Sequence, residues 1–286
     1  MPKKILACVD QSPYATQVAD YAAWVASRLA APMELLHVID RHQETAADAD
    51  RSGALGMDAQ ENLLDKLSKQ EGERSKEARE QGRILLTELR DRSRLQGVDD
   101  LDIRQRYGQL LSTLEEQQDE VSLYVLGRRG QSATQSGRDL GRHVETICRQ
   151  LKRPILTVTD SFKDPKRIMV AFDGGRMTRR GIELLAATPR LKDLPIDVVM
   201  SGKQQADAEK QLAWADGLLT SNGFTVDASF IQGDPERVIT AEIAERGCDL
   251  LIMGAYSHSP LRSLFLGSRT NDLLRASQVP TITLHL

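Results

Sequence analysis

Short apolar runs alternate with longer amphipathic patterns through the first part of the chain. The predicted strands cover residues 3–9, 34–39, 101–106, 122–126 and 154–158, and all of them except residues 101–106 are mainly apolar. Continuous runs of this length are typical of strands in a parallel sheet that is buried on both faces. The segments between them have helical spacing. The pattern therefore predicts an α/β fold, an open parallel sheet with helices on both faces.

One helical pattern is unusually long. Residues 41–56 are polar and alanine-rich and predict a loop, and a helical pattern then covers residues 59–95. Its central part, residues 68–81, is charged almost all round. A helix without an apolar face is stabilised by charged pairs one turn apart rather than by packing. We therefore expect residues 68–81 to form an exposed helical arm outside both hydrophobic cores.

The strand pattern occurs twice. Residues 4–10, KILACVD, match residues 167–173, RIMVAFD; residues 123–127 match residues 250–254; and residues 154–158 match residues 280–284. The spacing between matched segments falls from 163 to 127 residues, because the first copy has 36 extra residues in its charged helical segment. The repeat predicts two tandem domains, residues 1–160 with an insertion at about 41–81, and residues 161–286.

Composition narrows the class of function. The formal net charge of −3 over 286 residues gives no general attraction to nucleic acid or to an anionic membrane. The three cysteines are far apart and match neither a disulfide framework nor a zinc site. The first apolar run stops at Asp10, which is too short for a signal peptide or a membrane span. These features predict a cytoplasmic protein with reduced thiols and no metal site.

Candidate chemistry lies in residues 250–270. Gly254 ends a buried strand, and Gly267 is followed by Ser268 and Thr270, residues that suit the first turn of a helix. A glycine-rich connection into a helix can hold a phosphate on free backbone N–H groups. The alternative is an ordinary connection with turn glycines. The spacing matches neither a P-loop nor a dinucleotide fingerprint.

The spacing does resemble the Gly-x2-Gly-x9-Gly-Ser/Thr phosphate loop of the universal stress protein family. Here it is Gly254, two residues, Ser257 in place of glycine, nine residues, then Gly267 and Ser268. The resemblance covers nearly the whole chain and implies five parallel strands per domain. It also implies a pseudo-two-fold axis between the domains, with residues 155–158 and 281–284 at the seam, and allows a homodimer.

The resemblance further implies a stress-response regulator that binds an adenine nucleotide, ATP, ADP or AMP, with Mg²⁺ as an accompanying ion. The C-terminal domain is expected to hold it. The implied contact residues are Asp173, Met200, Met253, Gly254, Ser257, Gly267, Ser268, Arg269 and Thr270.

An acidic residue follows the first strand of each copy, Asp10 in one and Asp173 in the other. Ligands of open α/β sheets bind beyond the carboxyl ends of the strands, where a carboxylate can accept hydrogen bonds from ribose hydroxyls or an adenine amine. The alternative for both residues is a helix cap. Ser12 could cap instead of Asp10.

The first copy departs from the phosphate-loop pattern. Gly127 and Gly130 match it, but ten residues follow before Gly141, and Arg142 stands where the pattern has Ser or Thr. An arginine there could pair with a phosphate or fill the pocket itself. Arg128 and Arg129 are either anion partners or solvated loop charges. The sequence therefore predicts a degenerate N-terminal site.

Two other functions remain open. The chain could be a scaffold that binds no nucleotide and acts through a protein or small-molecule partner. It could also hydrolyse ATP slowly, although no P-loop ending, metal-ligand pair or serine elbow is present to accelerate the reaction.

Overall fold

The computed structural model describes residues 3–39, 57–128, 142–202, 207–255, 273–274 and 277–285, with only the backbone for residues 57–71 and 142–143. Within these residues, ten strands form one sheet in the order β3-β2-β1-β4-β5-β10-β9-β6-β7-β8. Each half of the chain contributes five neighbouring strands that are parallel to one another. The predicted fold class and strand number are confirmed.

The strands and helices of the N-terminal half follow the predicted order closely. They are β1 Lys4–Cys8, α1 Ala15–Leu29, β2 Met33–Ile39, α2 Met57–Leu95, β3 Leu101–Tyr107, α3 Leu110–Glu115, β4 Val121–Gly127, α4 Arg142–Gln150 and β5 Ile155–Val158.

The C-terminal half repeats this order with a much shorter second helix. Its elements are β6 Ile168–Ala171, α5 Arg176–Ala186, a 3-10 turn Pro189–Leu191, β7 Ile196–Gly202, α6 Ala208–Ser221, β8 Val226–Gln232, α7 Pro235–Arg246, β9 Leu250–Gly254 and β10 Thr281–Leu284.

Local sequence sets the helix boundaries. Asp234 caps α7 by accepting a hydrogen bond from the backbone N–H of Arg237, and Pro235 occupies the first helical position, where no donor is needed. Gly247 ends the same helix with φ +64°, a left-handed conformation that glycine adopts without steric cost.

The core lies on both faces of the sheet. On one face, α1 and α2 of the first half and α5 and α6 of the second pack together through residues such as Val18, Leu86, Ile182 and Leu212. On the other face, a second cluster joins α3, α4 and α7 to the strands. The inner strands are therefore buried from both sides, as continuous apolar runs predict, whereas the edge strands β3 and β8 are partly exposed.

The two halves meet where β5 and β10 pair antiparallel, with Thr157 opposite Thr281 and Ile155 opposite Thr283. This is the predicted seam. Because each half is parallel within itself, the carboxyl ends of the two sets of strands point to opposite edges of the sheet. A second contact joins α1 to the 3-10 turn and the residues after it: Arg28 Nη1 donates to the carbonyl of Arg190 at 2.9 Å and lies 2.6 Å from Asp193 Oδ1.

Helix α2 is anchored to the N-terminal half near its end. Asp20 of α1 is buried and accepts hydrogen bonds from Arg92 Nε and Nη2 at 2.7 and 2.8 Å, and from Gln96 Nε2 at 2.7 Å. Leu86 and Leu89 of α2 are buried in the core beside this ion pair. This end of the long helix is therefore part of the packed domain.

The charged part of α2 is exposed but attached. In residues 72–81 only Ser75 and Ala78 are half-buried and the others are exposed, as predicted; the side chains of residues 68–71 lie outside the described part. Gln105 Nε2 donates to the carbonyl of Arg79 at 3.2 Å, and Ser75 Oγ lies 3.5 Å from the hydroxyl of Tyr107. The arm therefore lies against the end of β3.

Candidate functional site

The carboxyl ends of the strands place Asp173 at the edge where a ligand is expected in the C-terminal half. It follows β6 and is exposed. Its Oδ1 accepts hydrogen bonds from the backbone N–H of Gly175 at 2.8 Å and from Thr178 Oγ1 at 2.6 Å. Asp173 thus fixes the start of α5. Because both bonds use Oδ1, this turn leaves the second oxygen, Oδ2, available to a ligand.

Gly254, predicted as the start of the phosphate loop, lies close to this turn. β6 and β9 are neighbours, with Ala171 opposite Met253. A β-carbon added to Gly254 would lie 3.2 Å from Cγ2 of Thr178 and 3.6 Å from Cβ of Met177. Glycine therefore lets the end of β9 approach α5, and the structure brings Asp173 and Gly254 together around Thr178.

Met200 and Met253 are both buried, with 2% and 3% of their surface exposed. Met200 belongs to the core cluster on the α5 and α6 side of the sheet, and Met253 to the cluster on the opposite side. They flank the carboxyl edge from its two faces.

Gln211 also lies beside this turn, and the sequence pattern did not single it out. It lies in the first turn of α6, and its Oε1 is buried without a hydrogen-bond partner among the described residues. A β-carbon on Gly174 would lie 1.3 Å from this oxygen, so Gly174 and Gln211 are in direct contact. Polar residues are ordinary in the first turn of an amphipathic helix, so no local signal distinguishes Gln211.

The turn after β6 is held to α6 by a second contact. Arg179 Nε donates to the carbonyl of Gly174 at 2.9 Å, and its guanidinium lies 4.6 Å from the ring centre of Trp214. The ring of Trp214 in turn stacks on Phe172, the residue before Asp173, with 6.3 Å between ring centres. These contacts position Asp173 from the α6 side.

The corresponding turn of the N-terminal half is built differently. Asp10 is half-buried, and its Oδ1 accepts a hydrogen bond from the backbone N–H of Ser12 at 3.0 Å. Ser12 Oγ accepts one from the backbone N–H of Tyr14 at 3.3 Å. Asp10 and Ser12 therefore share the capping of the turn before α1.

Arg128 differs from both of the roles considered for it. It follows Gly127, and its guanidinium donates hydrogen bonds to the carbonyls of Ser277 and Val279 in the other half, the second at 3.4 Å. The antiparallel seam brings the end of β4 next to the segment that precedes β10. Arg128 is thus part of the contact between the halves.

Most of the remaining predicted residues belong to the two loop segments. The predicted residues outside the described part are Ser257, Gly267, Ser268, Arg269 and Thr270 in the C-terminal half, and Arg129, Gly130 and Gly141 in the N-terminal half. Arg142 begins α4, but its side chain is outside the described part. The described residues contain no cluster of His, Cys, Asp and Glu that could hold a metal, and none of their helices is long and apolar enough to cross a membrane.

Fold and site together define an open α/β protein made of two like units, each with an acidic residue two positions after its first strand. The model of the universal stress protein family matches residues 1–159 and 165–285. A universal stress protein of Synechocystis sp. PCC 6803, Slr1230, is 31% identical over 284 residues, covering 98% of this chain and 99% of that protein. This chain belongs to the universal stress protein family.

Solved structures agree on the fold. A universal stress protein from Archaeoglobus fulgidus DSM 4304 matches with a TM-score of 0.72 and 17% identity, covering 99% of this chain and 96% of that chain. A protein of unknown function from Pseudomonas aeruginosa PAO1 matches with a TM-score of 0.61 and 14% identity, covering 99% and 92%. Both matches cover the N-terminal and the C-terminal half of this chain.

Proposed function

We propose that this protein is a cytoplasmic stress-response regulator that binds an adenine nucleotide in its C-terminal half. The observation that carries the proposal is the pair of acceptors at the carboxyl edge, the exposed carboxylate of Asp173 and the unpaired Oε1 of Gln211 beside Gly174. An unpaired buried acceptor is costly in a folded protein, and a donor from a ligand would satisfy it.

The chemistry of these two groups suits a nucleoside. Ribose hydroxyls and the adenine amine are hydrogen-bond donors, and a carboxylate and an amide oxygen are acceptors. Gly254 leads from this edge into the segment with Gly267 and Ser268, which we assign to the phosphates. Any Mg²⁺ would arrive with the phosphates, because this ion is usually bound through phosphates and water.

Isothermal titration calorimetry with ATP, ADP and AMP tests the proposal on the purified chain. We expect one site per chain. The substitution Gly267→Val should abolish binding, because a branched side chain would occupy the phosphate position. Gly217→Val is the matched control, since Gly217 lies on α6 with open space around it. No binding to the wild type would reject the nucleotide and favour a scaffold acting through another partner.

A further inference from the structure

His37 and Met200 occupy the same position in the two halves. In the first half Cys8 is opposite Leu36, and in the second Ala171 is opposite Val199. The next residues of the second strands are His37 and Met200. The match extends to the backbone, because the N–H of Val9 donates to Leu36 and that of Phe172 donates to Val199, both at 2.9 Å.

The two side chains behave differently towards the first strand. Both side chains are buried, with 7% of His37 and 2% of Met200 exposed, but only His37 offers a donor to the first strand: its Nδ1 lies 2.9 Å from the carbonyl oxygen of Val9, the residue before Asp10. The carbonyl can only accept, so Nδ1 carries the proton. Met200 has no N–H or O–H to offer the carbonyl of Phe172. The imidazole N–H thus donates to the carbonyl of Val9, which is next to the predicted ligand residue Asp10.

Helix α2 lies directly on the imidazole. A β-carbon on Gly82 would lie 2.6 Å from His37 Cδ2 and 2.2 Å from Gln105 Nε2. Only glycine allows the helix backbone to come this near. Gly97 follows the end of α2, and Gly223 follows the end of α6. Gly82 precedes Gly97 by the same number of residues as Ala208, the first residue of α6, precedes Gly223.

The extra length of α2 therefore begins just above His37. The shorter helix α6 starts at the level of Gly82, whereas α2 starts at Met57. At about 1.5 Å per residue, the additional stretch continues roughly 37 Å beyond that level. It is tied to the turn after β1, where Gln11 Nε2 donates to Gln81 Oε1 at 3.0 Å.

We propose that His37, bound to Val9 and covered by α2, closes the N-terminal half to the base of an adenine nucleotide. His37 is then the residue that limits the chain to one nucleotide site. The proposal rests on the proposed function in taking the C-terminal half as the open counterpart. It does not depend on Arg142, which replaces the Ser or Thr of the phosphate-loop pattern and concerns the phosphate end of the crevice.

The test replaces His37 by the residue found in the open half. Adenosine is the probe, because it has no phosphates and its binding therefore does not depend on Arg142. Calorimetry should give one adenosine site per chain for the wild type and two for His37→Met. The matched control is His37→Asn, whose amide can keep a donor at the position of Nδ1, and which should retain one site.

A measurement on the wild type removes dependence on the folding of the variant. Photolabelling with 8-azidoadenosine, followed by peptide mass spectrometry, should mark peptides of the C-terminal half only. Labelling of wild-type peptides around Asp10 and His37 would overturn the proposal, and so would a folded His37→Met protein that gains no site over the wild type. A wild type without any site, with one gained in His37→Met, would reject the proposed function and support the closure.

Discussion

Arg167 and Asp197 form a two-bond ion pair between the amino ends of β6 and β7, with Nε to Oδ2 at 2.6 Å and Nη2 to Oδ1 at 2.9 Å. Asp197 is fully buried and also accepts from Arg246 Nη1 at 3.0 Å. The first half has Lys4 and Glu34 at the same positions, 2.9 Å apart. These charges lie at the edge opposite the candidate site of their own half, and their role is structural.

Replacing Asp197 by Asn should therefore destabilise the protein strongly. Removing one partner of a buried pair costs about 3–5 kcal/mol, which is an upper bound here because Arg167 is partly exposed and Arg246 also pairs with Glu242 and Asp227. The control is Asp227→Asn, since Asp227 is exposed and bonds to the same Arg246 at 2.6 Å. An exposed pair is worth about 1 kcal/mol or less. Urea denaturation measures both, and equal losses would contradict the assignment.

The pH dependence of stability should show a contribution from His285. Burial lowers the pKa of this histidine from 6.5 to about 4. As the pH falls below 6.5 the unfolded chain takes up a proton that the folded chain does not, so the free energy of unfolding decreases. The decrease ends near the folded pKa of about 4. His285→Leu should lose less stability across this window, and parallel curves for the two proteins would refute the prediction.

Gly174→Ala should disturb both stability and binding. Gly174 has φ +71°, where an alanine costs about 1–2 kcal/mol, and the new methyl group would displace Gln211 Oε1. Gly247→Ala is the control, because Gly247 has φ +64° but no atom within 4 Å of an added β-carbon. We expect a larger stability loss at Gly174, and at least tenfold weaker nucleotide binding there only. Identical binding by both variants would exclude this turn from the site.

Gln211→Leu should weaken nucleotide binding while leaving stability nearly unchanged. Because Oε1 has no partner among the described residues, its removal sacrifices no hydrogen bond in the free protein. A lost ligand bond of about 1 kcal/mol corresponds to roughly fivefold weaker binding. Calorimetry with ATP checks this against Glu209→Leu, an exposed neighbour. Unaltered affinity would remove Gln211 from the site.

The fold was predictable because its signals are local. A strand buried on both faces is a continuous apolar run, so the repeat of residues 4–10 at 167–173 located β1 and β6 within a residue or two. The seam of β5 and β10 was implied by the resemblance to the universal stress protein family.

The site was predictable only in part. Asp173 follows a strand and Gly254 ends one, so their edge could be inferred from their position. The contacts of His37 with Val9 and of Gln211 with Gly174 join segments distant in sequence, and they depend on how closely a helix approaches a turn. Arg128 illustrates the same limit, because its partners Ser277 and Val279 come near it only through the seam.

The pairing of β5 with β10 has a consequence for how such a protein can evolve. In a dimer of identical chains, one gene encodes both crevices, so any substitution in one appears in the other. Here the two halves are encoded by separate parts of one gene, so each can change independently. One crevice has a histidine where the other has methionine at the same position. Fusion of the halves thus permits a division of labour across an interface that stays symmetric in its backbone.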